Sequence, residues 1–263
     1  MGHSFRSASA LALLLGLVLF VTSSFSSRVI AQETPRSPSD TVREFYKAMR
    51  EKRFREAFDL SIYKPAIAGL KPEEFDDLRL DFERMALAIP DKVEVSGEQT
   101  SGDIATVFVK VPSGDDAAPP EPVTLMRVDG QWIIGDRENQ DVVKKAGKKF
   151  FFNARIDTHH SEVQSMFQRL NVVQILYSQQ HAGLFADLPA LIAAGLLPKD
   201  LEGTESTGYR FHITLAKDAK SFTAGAEPAQ YGRTGKLSFF MDYSGVRSKD
   251  VGGKPLILPP EKP

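Results

Sequence analysis

The segment 208–247 constrains the fold most strongly, because it combines two runs of strand-type alternation with closely spaced turn residues. In the first run, every second residue is apolar: Tyr209, Phe211, Ile213 and Leu215. The second run is centred on Leu237, Phe239 and Phe240. Glycines between the runs suit tight turns, and Pro228 suits a strand end or a sheet edge. The segment therefore predicts an antiparallel sheet with specified turns.

The same segment resembles the globular end of bacterial type IV pilin-like and pseudopilin proteins. The residues that carry the resemblance are Gly208, Tyr209, Phe211, Phe222, Ala226, Pro228, Gly232, Thr234, Gly235, Phe239, Phe240, Asp242 and Gly245. Upstream, residues 166–183 look like the helix that precedes such a sheet, and residues 187–201 look like the short connecting helix. The resemblance implies a pilin-like domain over 161–255, with a long helix packed on an antiparallel sheet, that serves structure or interaction.

The segment 141–155, DVVKKAGKKFFFNAR, departs from that family. Pilins carry a membrane-spanning helix here, which needs ~20 apolar residues, whereas this chain has four lysines followed by Phe150, Phe151 and Phe152. Lysines beside aromatic residues could dock on an anionic membrane surface or on an acidic neighbouring domain. We expect instead a solvated linker helix over 137–160 whose phenylalanines pack under the pilin-like helix.

Residues 1–31 have the pattern of a signal peptide. An apolar run from Ala10 to Val21 follows a basic start, and Val29-Ile30-Ala31 offers small residues for cleavage after Ala31. The run is short for a membrane span, so an uncleaved N-terminal anchor is the alternative. The pattern predicts an exported protein, periplasmic or extracellular.

Cysteine is absent, which excludes thiol catalysis, lipid attachment through cysteine and every cysteine-containing metal site. The length of 263 residues fits about two domains. Residues 32–136 hold 14 basic and 21 acidic side chains, a net charge of −7, and residues 137–263 hold 17 and 13, a net charge of +4. This asymmetry indicates a domain boundary near residue 137, and the small total charge argues against nucleic acid as a partner.

The first predicted domain, 36–136, has helical periodicity followed by strand periodicity. Ser37-Pro38 starts a helix, a short second helix begins at Phe54, and a third begins at Pro72 and ends at Pro90. Four period-two runs then follow, with turns at Gly97, Gly102-Asp103 and Asp129-Gly130 and a Pro-rich loop over 113–122. We predict an α+β domain with helices packed on one face of a curved antiparallel sheet.

These features also resemble the exported branch of the nuclear-transport-factor-2-like family. The matching segments are 45–60, 102–111 and 125–134. The resemblance implies a cone-like fold that encloses a pocket between helices and sheet, used for catalysis by some relatives and for binding by many. The candidate ligand-pocket residues are Tyr46, Tyr63 and Trp132.

No catalytic or metal-binding constellation is evident. The first domain has no histidine for general base catalysis, and its acids fall mostly at helix caps and turns. In the second domain we expect His159, His160, His181 and His212 to be surface or cap residues. The segment Asp242 to Gly245 with Asp250 is similar to the calcium loop of some pseudopilins, but it offers two carboxylates. We therefore predict no enzyme, no cofactor and no bound metal.

Together these observations predict a non-enzymatic binding protein of the cell envelope with a protein partner. A cone-pocket protein that binds a small apolar ligand, or acts on one, is the first alternative. An accessory of a pilus or of a type II secretion system is the second. We expect no nucleic acid, at most peripheral membrane contact, and a frayed tail over 256–263.

Overall fold

The structure is a computed structural model that describes residues 36–89, 92–110 and 119–257, all within one compact unit, Pro35–Pro263. The fold is mixed α+β. Its helices are α1 (Pro38–Arg50), α2 (Phe54–Asp59), α3 (Lys64–Ala68), α4 (Pro72–Asp77), α5 (Arg79–Leu87), α6 (Arg137–Ala146), α7 (Phe150–Gln180) and α8 (Leu188–Ala193), with 3-10 helices at Gly147–Lys149 and Lys199–Glu202. Its strands are β1 (Glu94–Ser101), β2 (Ile104–Lys110), β3 (Glu121–Val128), β4 (Gln131–Ile134), β5 (Tyr209–Leu215), β6 (Phe222–Pro228), β7 (Leu237–Asp242) and β8 (Gly245–Asp250).

Several predicted features lie outside the described residues: the signal segment 1–31, the end of the third helix at Pro90, most of the loop 113–122, and the tail from residue 258. Within the described ranges, no helix is long and apolar enough to cross a membrane.

Helix α1 begins as predicted, because the Ser37 side chain accepts a hydrogen bond from the Asp40 N–H and Pro38 occupies the first turn. The third predicted helix is broken at Leu78 into α4 and α5, and α3 is a further helix that the periodicity does not predict. Leu78, at the break, and Phe82, in α5, are both fully buried.

The first sheet is antiparallel in the order β1-β2-β3-β4. Asp129 and Gly130 have φ values of 50° and 78°, which fit the two-residue turn predicted between β3 and β4. The turn predicted at Gly97 is wrong, because Gly97 lies inside β1 where the register with β2 shifts. A glycine at such a shift marks an irregularity of the strand and not its end.

Helices and sheet of this half enclose two apolar clusters. One cluster lies among the helices and includes the fully buried rings of Phe54, Phe58 and Phe82. The other lies between α1 and the sheet and includes Val42, Val107 and Leu125. The helical cluster explains why a segment with so many aromatic residues folds compactly, since each ring removes a large apolar area from water.

Helix α7 is the longest element, with 31 residues and a length of about 46 Å. Its first turns contribute Phe151 and Phe152 to the helical cluster of the first half. Its later turns contribute Val163, Phe167 and Leu170 to the core of the second half. The expectation that the phenylalanines pack under the pilin-like helix is therefore wrong: Phe151 packs on Phe58, 5.2 Å between ring centroids.

The second sheet, β5-β6-β7-β8, is antiparallel and packs on α7 and α8. Strands β5 and β7 correspond to the two predicted runs, whereas β6 and β8 add two strands that the periodicity did not indicate. Pro228 is the last residue of β6, as expected for a proline in a sheet. The predicted boundary between residues 160 and 161 lies inside α7, and the division into two domains stays a prediction.

An ion-pair cluster connects the first half to α7. Arg155, whose side chain is 8% exposed, bonds to Asp81 through Nε and Nη2 at 2.9 and 2.6 Å and to the Asp77 carboxylate through Nη1 at 3.2 Å. Arg233, from the turn after β6, also pairs with Asp77. The positive second half and the negative first half are thus paired at a partly buried contact.

We expect the substitution Arg155→Met to lower the free energy of unfolding by about 2 kcal/mol, because it leaves the Asp81 carboxylate without its closest partner, whereas Asp77 keeps its pair with Arg233. The matched control is Arg79→Met, which removes the exposed pair with Asp76 and is expected to cost less than about 1 kcal/mol. Urea denaturation of both variants measures the difference. Equal losses of unfolding free energy in the two variants would show that the Arg155 cluster stabilises the fold no more than an exposed ion pair does.

Candidate functional site

A groove of about 680 Å³ runs along one flank of α7, between this helix, β5 and the segment 200–207. The groove is lined by Thr158, Ser161, Glu162, Val163, Ser165, Met166, Arg169, Asp200, Ser206, Thr207 and Phe211. Its volume falls in the range of roughly 300–1,000 Å³ that is typical of ligand sites.

The floor of the groove is apolar and one wall carries hydroxyl groups. Val163 belongs to the second core, and Met166 and Phe211 pack against that core. On the wall, Ser161 and Ser165 donate hydrogen bonds to the carbonyl oxygens four residues earlier, at 3.1 and 3.0 Å. Their hydroxyl oxygens therefore remain available as acceptors for a polar group in the groove.

Charged side chains stand at the rim. Arg169 donates to the Leu196 carbonyl at 3.4 Å, and Asp200 accepts from the Ser206 hydroxyl at 3.0 Å. These hydrogen bonds orient the Arg169 and Asp200 side chains. The combination of an apolar floor and polar walls suits an amphipathic ligand.

Strand β5 is an edge strand and borders the groove. The Gly208 carbonyl accepts a hydrogen bond from the Ala229 N–H, and the Ala216 N–H donates to the Ser221 carbonyl, so the even-numbered residues face β6. The main-chain groups of the odd-numbered residues of β5 therefore point to the free edge of the sheet. At Tyr209 those groups bond to the Thr207 hydroxyl at 3.2 and 3.1 Å. Among the described residues, no other segment bonds to the main chain of Phe211 on that side.

The three predicted pocket residues lie in two different clusters. Tyr46 and Trp132 both belong to the contacts between α1 and the first sheet, where the Arg127 guanidinium lies 4.4 Å from the Trp132 ring centroid. Tyr63 packs instead in the helical cluster, 5.4 Å from Phe150 between ring centroids. The fold brings Tyr46 and Trp132 together and places Tyr63 apart from them.

The environment of both tyrosines keeps their phenols protonated. Burial, with a smaller contribution from Glu121, raises the pKa of Tyr46. Burial, with a smaller contribution from Asp136, raises the pKa of Tyr63. A tyrosine with a raised pKa can donate a hydrogen bond but does not supply a phenolate base at neutral pH.

The two adjacent histidines clamp the β6–β7 turn, residues 229–236, onto α7. His159 Nδ1 donates to the Thr234 carbonyl at 2.8 Å, and His160 Nε2 accepts from the N–H groups of Lys236 and Leu237 at 3.2 and 3.3 Å. Gly208, at φ 67°, makes room for the clamp, since a Cβ there would lie 2.6 Å from His159 Nδ1.

The expectation that the histidines are surface or cap residues is therefore wrong for His159, which is 5% exposed. Helical spacing could have predicted the burial of His159, because the apolar residues Ile156 and Val163 lie three residues before and four residues after it on the same face of α7. His212 also has an acidic neighbour, because cross-strand pairing brings Glu227 to 3.4 Å. Sequence spacing alone does not reveal a partner on another strand.

The loop predicted as similar to a calcium site is closed by its own residues. Asp242 accepts hydrogen bonds from the N–H and hydroxyl of Ser244 at 2.9 and 2.6 Å and pairs with Arg247. Asp250 accepts from the Tyr231 hydroxyl at 3.0 Å. In the described ranges, no group of three or more His, Asp or Glu side chains is arranged to hold a metal ion.

Comparisons with known proteins add no assignment: no protein-family model matches the chain, and neither the curated proteins nor the solved structures provide a match. The groove is not predicted by any motif in the sequence. A hint of it is the set of hydroxyl residues Thr158, Ser161 and Ser165 at helical spacing along one exposed flank of α7.

The histidine clamp predicts a pH-dependent stability. Burial lowers the pKa of His160 below its usual 6.5, with Asp157 opposing this effect and His159 and Lys236 adding to it. The unfolded chain then binds the proton more readily than the folded chain. The stability that neutral His160 contributes is therefore complete above about pH 6.5 and is lost as the pH falls through the lowered pKa.

We expect His160→Gln to remove this pH dependence of stability. The glutamine side-chain oxygen can accept hydrogen bonds from the same N–H groups but does not titrate in this range. The loss of unfolding free energy between pH 7 and pH 5 should be smaller in the variant than in the wild type. Urea denaturation at both pH values measures it. An identical pH dependence in the two proteins would contradict the assignment.

Proposed function

We propose that this protein is an exported, non-enzymatic binding protein of the cell envelope, whose groove along α7 holds an extended segment of a protein partner. The observation that carries the proposal is the position of the groove beside the free edge of β5. Export rests on the sequence of residues 1–31.

An extended peptide fits the groove in both chemistry and length. Strand addition to an edge strand supplies main-chain hydrogen bonds, and alternate side chains reach the apolar floor. Thr158 and Arg169 are eleven residues apart on α7, a span of about 16 Å. That span corresponds to about five residues of extended chain.

The order of elements supports two family proposals. A long helix, a short helix and an antiparallel sheet follow one another from residue 150 to residue 250, the order expected of a pilin-like head. Helices followed by a four-stranded antiparallel sheet occupy residues 38–134, the order expected of a nuclear-transport-factor-2-like cone. We propose both relationships on this order together with the sequence patterns.

The non-enzymatic assignment is supported by the use of the candidate pocket residues in packing. Tyr46 and Tyr63 are half-buried with raised pKa values, and Trp132 is 6% exposed. An isomerase-type or dehydratase-type site needs a base of tuned pKa aimed into an open pocket. The groove offers hydroxyl groups and charges at its rim, which suit recognition.

Site-specific photo-crosslinking tests the proposal. A photoreactive residue is placed at Ser161, Ser165 or Arg169 in the groove, with Gln164, exposed on the same helix and outside the groove lining, as the control. We expect the groove positions to crosslink, in envelope extract, to one short segment of one protein, with contact points in linear order along that segment.

Mass spectrometry of the crosslinked peptides gives the readout. The proposal fails if the Gln164 position yields the same product, if the contact points scatter over a folded surface, or if the groove positions label only small molecules.

A further inference from the structure

A second cavity, of about 340 Å³, lies where the start of α7 meets the β6–β7 turn. It is lined by Glu74, Lys148, Lys149, Phe152, Asn153, Gly232, Arg233 and Lys236. None of these residues lines the groove along α7, so the two sites are separate.

The cavity is strongly positive. Two lysines come from the 3-10 helix that precedes α7, and Arg233 and Lys236 come from the β6–β7 turn, while Glu74 is the one carboxylate in the lining. With Asp77, which pairs with Arg233 but is not in the lining, four cations face two anions, a net charge of +2. Segments about 85 residues apart in the chain therefore bring like charges together, which costs free energy in the absence of a counter-charge.

Two of the four cations are held in place by acids of the first half. Lys148 Nζ lies 3.3 Å from Glu74 Oε1. Arg233 pairs with Asp77 through Nη1, and its guanidinium carbon lies 5.1 Å from the centroid of the Phe152 ring. A guanidinium has five N–H donors, so the single contact with Asp77 leaves donors for a second anion.

The other two cations have no acidic partner in the described part of the chain. No carboxylate among the described residues lies within ion-pair distance of Lys149 or Lys236. Asn153 adds an amide to the lining. All of these features favour a compact, multiply charged anion over a single carboxylate.

The aromatic residues of the same segment do not point to insertion into a membrane. Phe151 and Phe152 are 7% and 9% exposed and belong to the core of the first half. The lysines are therefore presented on a rigid frame around a cavity, without apolar side chains that would enter a bilayer.

We propose that this cavity, which we call the basic cavity, binds a phosphate group, carried either by a soluble phosphate compound or by an anionic lipid headgroup. The phosphate oxygens would accept charge-assisted hydrogen bonds from Lys149, Lys236 and Arg233. The proposal does not depend on the groove or on its partner.

Isothermal titration of the protein with inorganic phosphate and with pyrophosphate tests the shared chemistry. We expect saturable binding that weakens as sodium chloride is added, since the contacts are charged and partly exposed. Lys149→Gln and Lys236→Gln should each weaken pyrophosphate binding about tenfold. The matched control is Lys145→Gln, exposed on α6 outside the cavity, which should change binding less than about twofold.

Sedimentation with vesicles distinguishes the two sources of phosphate. Vesicles of phosphatidylcholine are compared with vesicles that also contain phosphatidylglycerol. Cosedimentation that requires phosphatidylglycerol, Lys149 and Lys236 identifies a headgroup site, and pyrophosphate binding without cosedimentation identifies a soluble ligand. The proposal is overturned if neither probe binds, or if Lys145→Gln weakens binding as much as the two cavity variants.

Discussion

Helix α7 is the element on which the rest of the structure depends, because one uninterrupted helix contributes side chains to both large cores. Phe151 and Ile156 are buried at its beginning, and Phe167 and Leu170 are buried in its later turns. Because the backbone hydrogen bonds of a helix continue through its middle, the two ends cannot rotate independently without breaking them. Arg155 strengthens this connection, since its buried guanidinium ties the helix to Asp77 and Asp81 of the first half.

Both candidate binding sites follow from this arrangement. The histidine clamp fixes the β6–β7 turn on α7, and the turn brings Arg233 and Lys236 to the lysines that precede the helix. Farther along, the same helix leaves one flank uncovered beside β5, where small hydroxyl residues make room for the groove. One site is therefore charged and compact, and the other is elongated and largely apolar, although a single helix supports both.

Local features of the fold could be predicted from the sequence, because their causes are local. The Ser37 cap and the Asp129-Gly130 turn depend on neighbouring residues, and strand β5 alternates apolar and polar residues. The contacts that build the sites depend on residues far apart in the chain, such as Arg155 and Asp77 or His159 and Thr234. The opposite charges of the two halves were a visible hint of such pairing, but charge totals do not specify which side chains meet.

Hydrogen exchange along α7 tests most directly whether one rigid helix joins the two cores. Amides from Ile156 to Val163, at the predicted boundary, are compared with those around Phe167 and Leu170 in the second core. A continuous helix predicts that the amides in the middle exchange as slowly as those around Phe167, because opening them requires the helix to break between two packed cores. Rapid exchange in the middle, with both flanks protected, would contradict the account and show a hinge between two independent domains.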